Sequence, residues 1–143
     1  MYKRQDRILD ACAAPGTKTT HLAQLIKDEG EILAIDRSDI RLKLLKENLE
    51  RLDIKSVQSL KIDATKLIEI KPEYINYFDK ILIDAPCSGL GTLARNPDAR
   101  WKITKKSIDQ LIIIQEKLLE NIVPLLNKNG LFCLLYTSPS PRD

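Results

Sequence analysis

Apolar and polar positions along this chain fall into blocks that predict strands alternating with helices. Ile8 to Cys12 is a short apolar run that stops at a Pro15-Gly16 turn. Leu22, Leu25 and Ile26 then recur at helical spacing within His21 to Lys27, before Gly30. Ile32 to Ile35 predicts a second strand closed by Asp36. Ser38 is a suitable cap for a helix with Ile40, Leu44, Leu45, Leu49 and Leu52 on one face. Val57 to Ile62 predicts a third strand ending at Asp63. After a polar connection containing Pro72, Lys80 to Ile83 predicts a fourth, ending at Asp84. Ser107 to Leu126 predicts a long helix with Ile108, Leu111, Ile112, Leu119 and Ile122 inward. Asn129-Gly130 then turns the chain into a fifth strand from Leu131.

Strands separated by helices of this length require crossover connections, which implies an α/β fold: a parallel sheet with helices on both faces. In such sheets ligands bind at the carboxyl ends of the strands. Those ends are where the sequence puts Cys12 to Lys18, Asp36, Asp63 and Asp84, so four strand ends should converge on one crevice. There is no internal repeat and no sign of a second domain. The expected domain runs over 8–135 and stops after the fifth strand. Residues 1–7 and 136–143 read as tails foreign to it, because each departs abruptly from the pattern of a core strand.

Composition narrows the class only slightly. A length of 143 residues, 43% hydrophobic and 30% charged, suits one globular domain. A net charge of +3 and a pI near 8.7 tolerate an anionic partner without requiring one. Cys12, Cys87 and Cys133 form no Cys-x-x-Cys pair, which disfavours a zinc knuckle or a disulfide framework and leads us to expect no metal and a reducing cytoplasm. No apolar run approaches the ~18 residues of a membrane span, so no membrane partner is expected. Oligomeric state is not legible.

The turn from Cys12 to Lys18 carries the first chemistry. Its single glycine, Gly16, lacks the Gly-x-Gly-x-x-Gly spacing of dinucleotide sites, and Thr17 stands where a phosphate-binding P-loop needs glycine. Small residues at Ala13, Ala14 and Gly16 still admit a ligand closely. Asp36 lies 36 − 16 = 20 positions past Gly16, the offset at which an acid accepts hydrogen bonds from ribose hydroxyls. The competing reading is that this acid only starts the next turn or caps a helix, and spacing alone leaves both open. Cys133 reads as core, Cys12 as a small side chain with a backbone contact, and His21 as solvent-facing. Trp101 packs or stacks on a base; Arg95, Arg100, Lys102, Lys105 and Lys106 form either a solvated face or a phosphate-binding one.

The runs LDACAAPGTKTTHLA (Leu9 to Ala23) and DAPCSGLGTLARNPDARW (Asp84 to Trp101) resemble the signatures of the Sun/Fmu and NOL1/NOP2 RNA cytosine-5 methyltransferases, nearest their bacterial 16S ribosomal RNA branch. The resemblance covers Ile8 to Leu131 and implies a Rossmann-like fold, S-adenosyl-L-methionine as cofactor and RNA, ribosomal RNA above all, as partner. It implies that Cys12, Ala13, Ala14, Pro15, Gly16, Thr17 and Lys18 wrap the methionine part. It further implies that Asp36 holds the ribose, that Asp63 lies near the adenine, and that Asp84 borders cofactor and target base. Thr17 departs from the glycine common at that place. In the family a thiolate adds to carbon 6 of cytosine so that carbon 5 can attack the methyl group. That cysteine comes from a Thr-Cys pair after the fifth strand, while the Pro-Cys cysteine, here Cys87, aids release. Counted from Gly130 the attacking cysteine should fall near position 137, where the chain has Thr137 followed by Ser138. The expectation is therefore a methyltransferase domain without its nucleophile, or an inactive cofactor- and RNA-binding module.

Overall fold

Five short runs rich in Ile, Leu and Val pair in one parallel sheet, ordered β3-β2-β1-β4-β5. The computed structural model describes residues 3–85 and 104–136. The strands are β1 (Arg7–Asp10), β2 (Glu31–Asp36), β3 (Val57–Lys61), β4 (Phe78–Ala85) and β5 (Leu126–Tyr136); the helices are α1 (Thr17–Leu25), α2 (Asp39–Arg51), α3 (Leu67–Ile70) and α4 (Lys105–Ile122). The chain first winds outward through β1, β2 and β3, then returns to the far side of β1 for β4 and β5. This reversal puts a topological switch point between β1 and β4, where a crevice opens at the carboxyl edge.

Alternation along each strand sorts the core into two layers. Leu9, Leu33, Ile35, Ile81 and Ile83 face one way and pack with Leu67 of α3 and Leu118 and Ile122 of α4. Ile8, Ile32 and Leu82 face the other way, against Leu22, Ala23 and Ile26 of the α1 region; Ala34 meets Leu42, Leu45 and Leu49 of α2. The centre of the sheet is thus buried on both faces, which is why β1 and β2 and the Ile81–Ile83 part of β4 are apolar runs rather than alternating ones. Each fully buried aliphatic side chain contributes ~1.5–3 kcal/mol relative to exposure.

Several local expectations are corrected. On α2 the inward stripe is Leu42, Leu45 and Leu49, whereas Ile40 is 79% exposed and Leu44 and Leu52 also face outward. The helix carries apolar residues at two overlapping helical spacings, and the small Ala34 beneath it selects the one that packs. Helix α1 begins at Thr17, earlier than its apolar spacing suggests, and Leu25 is exposed. Helix α4 begins at Lys105 because Thr104 caps it. The Thr104 hydroxyl accepts from Ser107 N–H at 3.1 Å and Ser107 Oγ accepts from Thr104 N–H at 2.9 Å. Leu118 and Ile122 carry its burial, and Ile112 is exposed. Asn129-Gly130 lies inside β5 rather than before it. Phe78 pairs with Leu126 and Lys80 with Leu131, so residues 127–130 loop out opposite Asp79 as a bulge. Residues 3–7, set outside the domain by their sequence, include a buried Asp6, whose carboxylate lies 2.6 Å from Lys80 Nζ. No helix among the described residues is long and apolar enough to cross a membrane.

Candidate cofactor site at the carboxyl ends of the strands

Gly16 allows the chain to pass from β1 into α1 within six residues. Its φ of +107° is a left-handed conformation that side-chain-bearing residues rarely adopt, and an added Cβ would lie 2.4 Å from Leu45 Cδ1. The turn is stitched to both neighbouring strands: Ala11 N–H donates to Leu82 O of β4 and Ala13 N–H to Ile35 O of β2, each at 3.0 Å. Helix α2 grips the same turn from the side. Arg41 donates to the Ala14 carbonyl, and Asn48 Nδ2 donates to the Pro15 carbonyl at 3.3 Å. The Ala14–Pro15 peptide is cis.

Beside this turn lies an open cavity of about 510 Å³. Of the residues singled out from sequence, Cys12, Ala14, Pro15, Asp36, Asp63 and Asp84 line it. Ala13 instead packs under α2, Gly16 and Thr17 start α1, and Lys18 reaches the cavity's edge as the ion-pair partner of Asp84. Cys87 lies outside the described residues, as do Arg95, Arg100, Trp101 and Lys102. Lys105 and Lys106 are exposed at the start of α4, and His21 is exposed on α1. Cys133 packs, partly buried, against the α1 layer.

The four strand-end acids are not equivalent. Asp36 is 5% exposed; its Oδ2 accepts from Ala14 N–H at 3.3 Å and its Oδ1 from Ser38 N–H at 3.0 Å. It therefore starts the turn into α2; Oδ2 also lies 3.8 Å from Arg41 Nη1, and Oδ1 keeps a second lone pair for a ligand. Asp63 Oδ1 caps the short turn at Ala64–Lys66, accepting from Thr65 N–H at 3.0 Å and Thr65 Oγ1 at 2.7 Å. The Thr65 hydroxyl, against the opposing cost of burial, holds this carboxyl below its ordinary range. Asp84 Oδ2 pairs with Lys18, while its Oδ1 is buried without a hydrogen-bond partner among the described residues. An orphaned buried acceptor of this kind calls for a donor that a ligand can bring.

The fourth acid, Asp10, which the strand pattern does not single out, does not line the cavity but is buried beneath the turn that forms its wall. Burial pushes its carboxyl up to about 6, against hydrogen bonds from Thr19 and the Cys12 backbone. Its position at a strand end, like that of the other three acids, is the trace it leaves in the sequence. Burial also pushes the Cys12 thiol up to about 12, with Asp10, Asp36 and Asp84 adding negative charge around it. Cys12 is accordingly a neutral thiol at physiological pH and supplies shape rather than a nucleophile. Further lining comes from Arg37, Ile62 and Thr65, and from Ile114, Lys117 and Leu118 on α4, which only tertiary packing brings here. Among the described residues no group of three or more His, Cys, Asp or Glu side chains is placed to hold a metal ion.

A parallel sheet with its crevice at the β1/β4 switch point, an acid after β2 and a one-glycine turn after β1 together define a Rossmann-like domain of the methyltransferase class. Residues 2–142 match the family described as 16S rRNA methyltransferase RsmB/F, and the chain belongs to that family. The chain is 40% identical over 125 residues to the ribosomal RNA small subunit methyltransferase B of Photorhabdus laumondii, a match spanning 87% of this chain and 28% of that protein. It is also 40% identical over 136 residues to the tRNA (cytosine(72)-C(5))-methyltransferase of Pyrococcus horikoshii, across 95% of this chain and 33% of that one. The crystal structure of NSun6 from Pyrococcus horikoshii with SFG superposes with a TM-score of 0.78 at 39% identity, covering 96% of this chain and 35% of that chain. The chain thus spans about a third or less of the length of the relatives it matches.

Proposed function

We propose that this chain is the cofactor-binding and catalytic core of an enzyme that transfers a methyl group from S-adenosyl-L-methionine to carbon 5 of a cytosine in RNA. Ribosomal RNA is the favoured substrate and the cytoplasm the place of action. Membership of the RsmB/F family and the chemistry of the crevice support this reading. The observation that carries it is the pairing, in one cavity, of buried Asp36 with spare acceptor capacity and Asp84 with an orphaned Oδ1.

The residues present fit the cofactor. Asp36 accepts from the ribose hydroxyls. Asp63, with one oxygen outside its cap, faces the adenine amine beside the apolar surface of Ile62, Ala64 and Leu118. The turn from Cys12 to Lys18 and the first N–H groups of α1 receive the methionine carboxylate, since a helix N-terminus favours negative charge. When bound, the cofactor supplies an electrophilic methyl carbon. Lys18 fixes one oxygen of Asp84, leaving the other to take a hydrogen bond from the amino group or protonated ring nitrogen of the target cytosine. The attacking thiolate and the release role of Cys87 rest on the family resemblance, and both positions lie outside the described residues. Lys117 in the cavity wall, with exposed Lys105 and Lys106 at the start of the same helix, offers cations for the RNA backbone.

Calorimetric titration of the 143-residue chain decides the cofactor class. Saturable binding of S-adenosyl-L-methionine and none of a nicotinamide dinucleotide is the expected result; the reverse preference overturns the reading. Competition between 16S ribosomal RNA and transfer RNA for the loaded chain tests the substrate, and preference for transfer RNA would favour the class named for the Pyrococcus relative.

A further inference from the structure

Asp10 and Thr19 are both buried polar side chains that the proposed chemistry leaves without a task. They are 1% and 0% exposed, and Thr19 Oγ1 donates to Asp10 Oδ2 at 2.7 Å. Burying a carboxylate is costly, and an apolar pair of similar volume would cost less, so the pair needs another reason to be here. Its geometry supplies one. Asp10 is the last residue of β1, and Thr19 stands in the first turn of α1, so their bond closes the base of the turn that forms the cavity wall. Asp10 also accepts from the Cys12 backbone N–H, and the Thr19 hydroxyl lies 3.5 Å from the Ala13 carbonyl. One carboxylate and one hydroxyl thus reach three successive parts of the turn. Lys18 precedes Thr19 by one residue, about 100° around the helix. Pinning Thr19 inward sets the rotation of α1 at which Lys18 meets Asp84.

We propose that Asp10 and Thr19 are a buried positioning pair, which fixes the shape of the cofactor turn and aims Lys18 at Asp84. The inference rests on the S-adenosyl-L-methionine reading of the cavity. Two substitutions separate a positioning role from packing. Thr19→Val keeps the volume and loses the hydroxyl; Thr19→Ser keeps the hydroxyl and loses the methyl group. Calorimetry with S-adenosyl-L-methionine on the 143-residue chain, beside thermal melts, gives the readout. The expected result is affinity weakened about tenfold or more in Thr19→Val and retained within about twofold in Thr19→Ser, although the serine variant has the lower melting temperature. Wild-type affinity in folded Thr19→Val, or an equal loss in Thr19→Ser, overturns the pair. If the valine variant does not fold, the serine variant decides alone: retained affinity supports the pair and lost affinity overturns it. A wild-type chain that binds no S-adenosyl-L-methionine removes the underlying reading itself, a result distinct from any difference between variants.

Discussion

The two ends of the sheet carry comparable numbers of acids and treat them differently. At the amino ends, Asp79 receives Arg7 N–H at 2.9 Å, Arg7 Nε at 3.3 Å and Arg7 Nη2 at 3.4 Å, and Asn127 from the β5 bulge donates to its Oδ1. Burial alone would raise this carboxyl, and the Arg7 hydrogen bonds outweigh it, holding the group below its ordinary range. Asp6 is closed by Lys80 and by Lys3 N–H at 2.7 Å, and Glu31 by the Tyr77 hydroxyl at 2.9 Å. At the carboxyl ends, Asp84 keeps an orphaned oxygen, Asp36 and Asp63 keep spare lone pairs, and Asp10 is held in a burial that raises it. The amino end spends its acids on internal bonds and holds strands together; the carboxyl end leaves acceptors open toward a cavity. Unfilled acceptor capacity, rather than the presence of acids, distinguishes the site.

The sharpest break at the site end should come from Gly16→Ala. Left-handed strain of ~1–2 kcal/mol and a clash with Leu45 of ~1–3 kcal/mol give a loss of about 2–5 kcal/mol, shared between stability and cofactor affinity. Denaturant melts with and without S-adenosyl-L-methionine would apportion it, and a variant as stable as wild type would mean that the turn tolerates a side chain.

Asp10 should leave a signature in pH. Its carboxyl titrates near 3.8 in the unfolded chain and near 6 when folded. Between those values the folded protein keeps a proton that the unfolded chain has lost. The stability linked to this group is therefore full below 3.8 and is lost as pH rises to about 6, a change of about 3 kcal/mol. Asp10→Asn, compared with wild type by urea unfolding across this range, should show a flatter profile. An unchanged slope would place the titration elsewhere.

At the amino end, Asp79→Ala should reduce stability by about 1–2 kcal/mol, allowing for solvent screening of the partly exposed Arg7, with no change in cofactor affinity. A change in affinity would blur the contrast between the two ends. The smallest expected effect is on Cys12: with its thiol pushed up to about 12, alkylation at neutral pH should be slow beside that of a free cysteine, as followed by mass spectrometry of the labelled peptide.

Much of this was legible in the sequence. Apolar runs identify the central strands most clearly, because β1, β2 and β4 are buried on both faces and have no polar alternation, whereas the edge strands β3 and β5 are only partly buried and show in the sequence through their Val, Leu and Phe positions. Three site acids are legible because each closes such a run: Asp36, Asp63 and Asp84. Asp10 closes one too, but the apolar reading ran on through Ala11 and Cys12 and absorbed it. The inward faces of α2 and α4 were read less well, since each helix has more apolar residues than one face holds and the sheet beneath decides which are covered. Arg41, Asn48 and Lys117 reach the turn or cavity only through tertiary packing, so no local pattern announces them.

The central contrast between the two ends reduces to one calorimetric comparison of S-adenosyl-L-methionine binding by wild type, Asp36→Ala and Asp79→Ala, each checked for folding by circular dichroism. Loss of the ribose acceptor should weaken binding by about 1.5–3 kcal/mol in Asp36→Ala and leave Asp79→Ala at the wild-type value. Wild-type affinity in a folded Asp36→Ala protein, or an equal loss in both variants, would contradict the account.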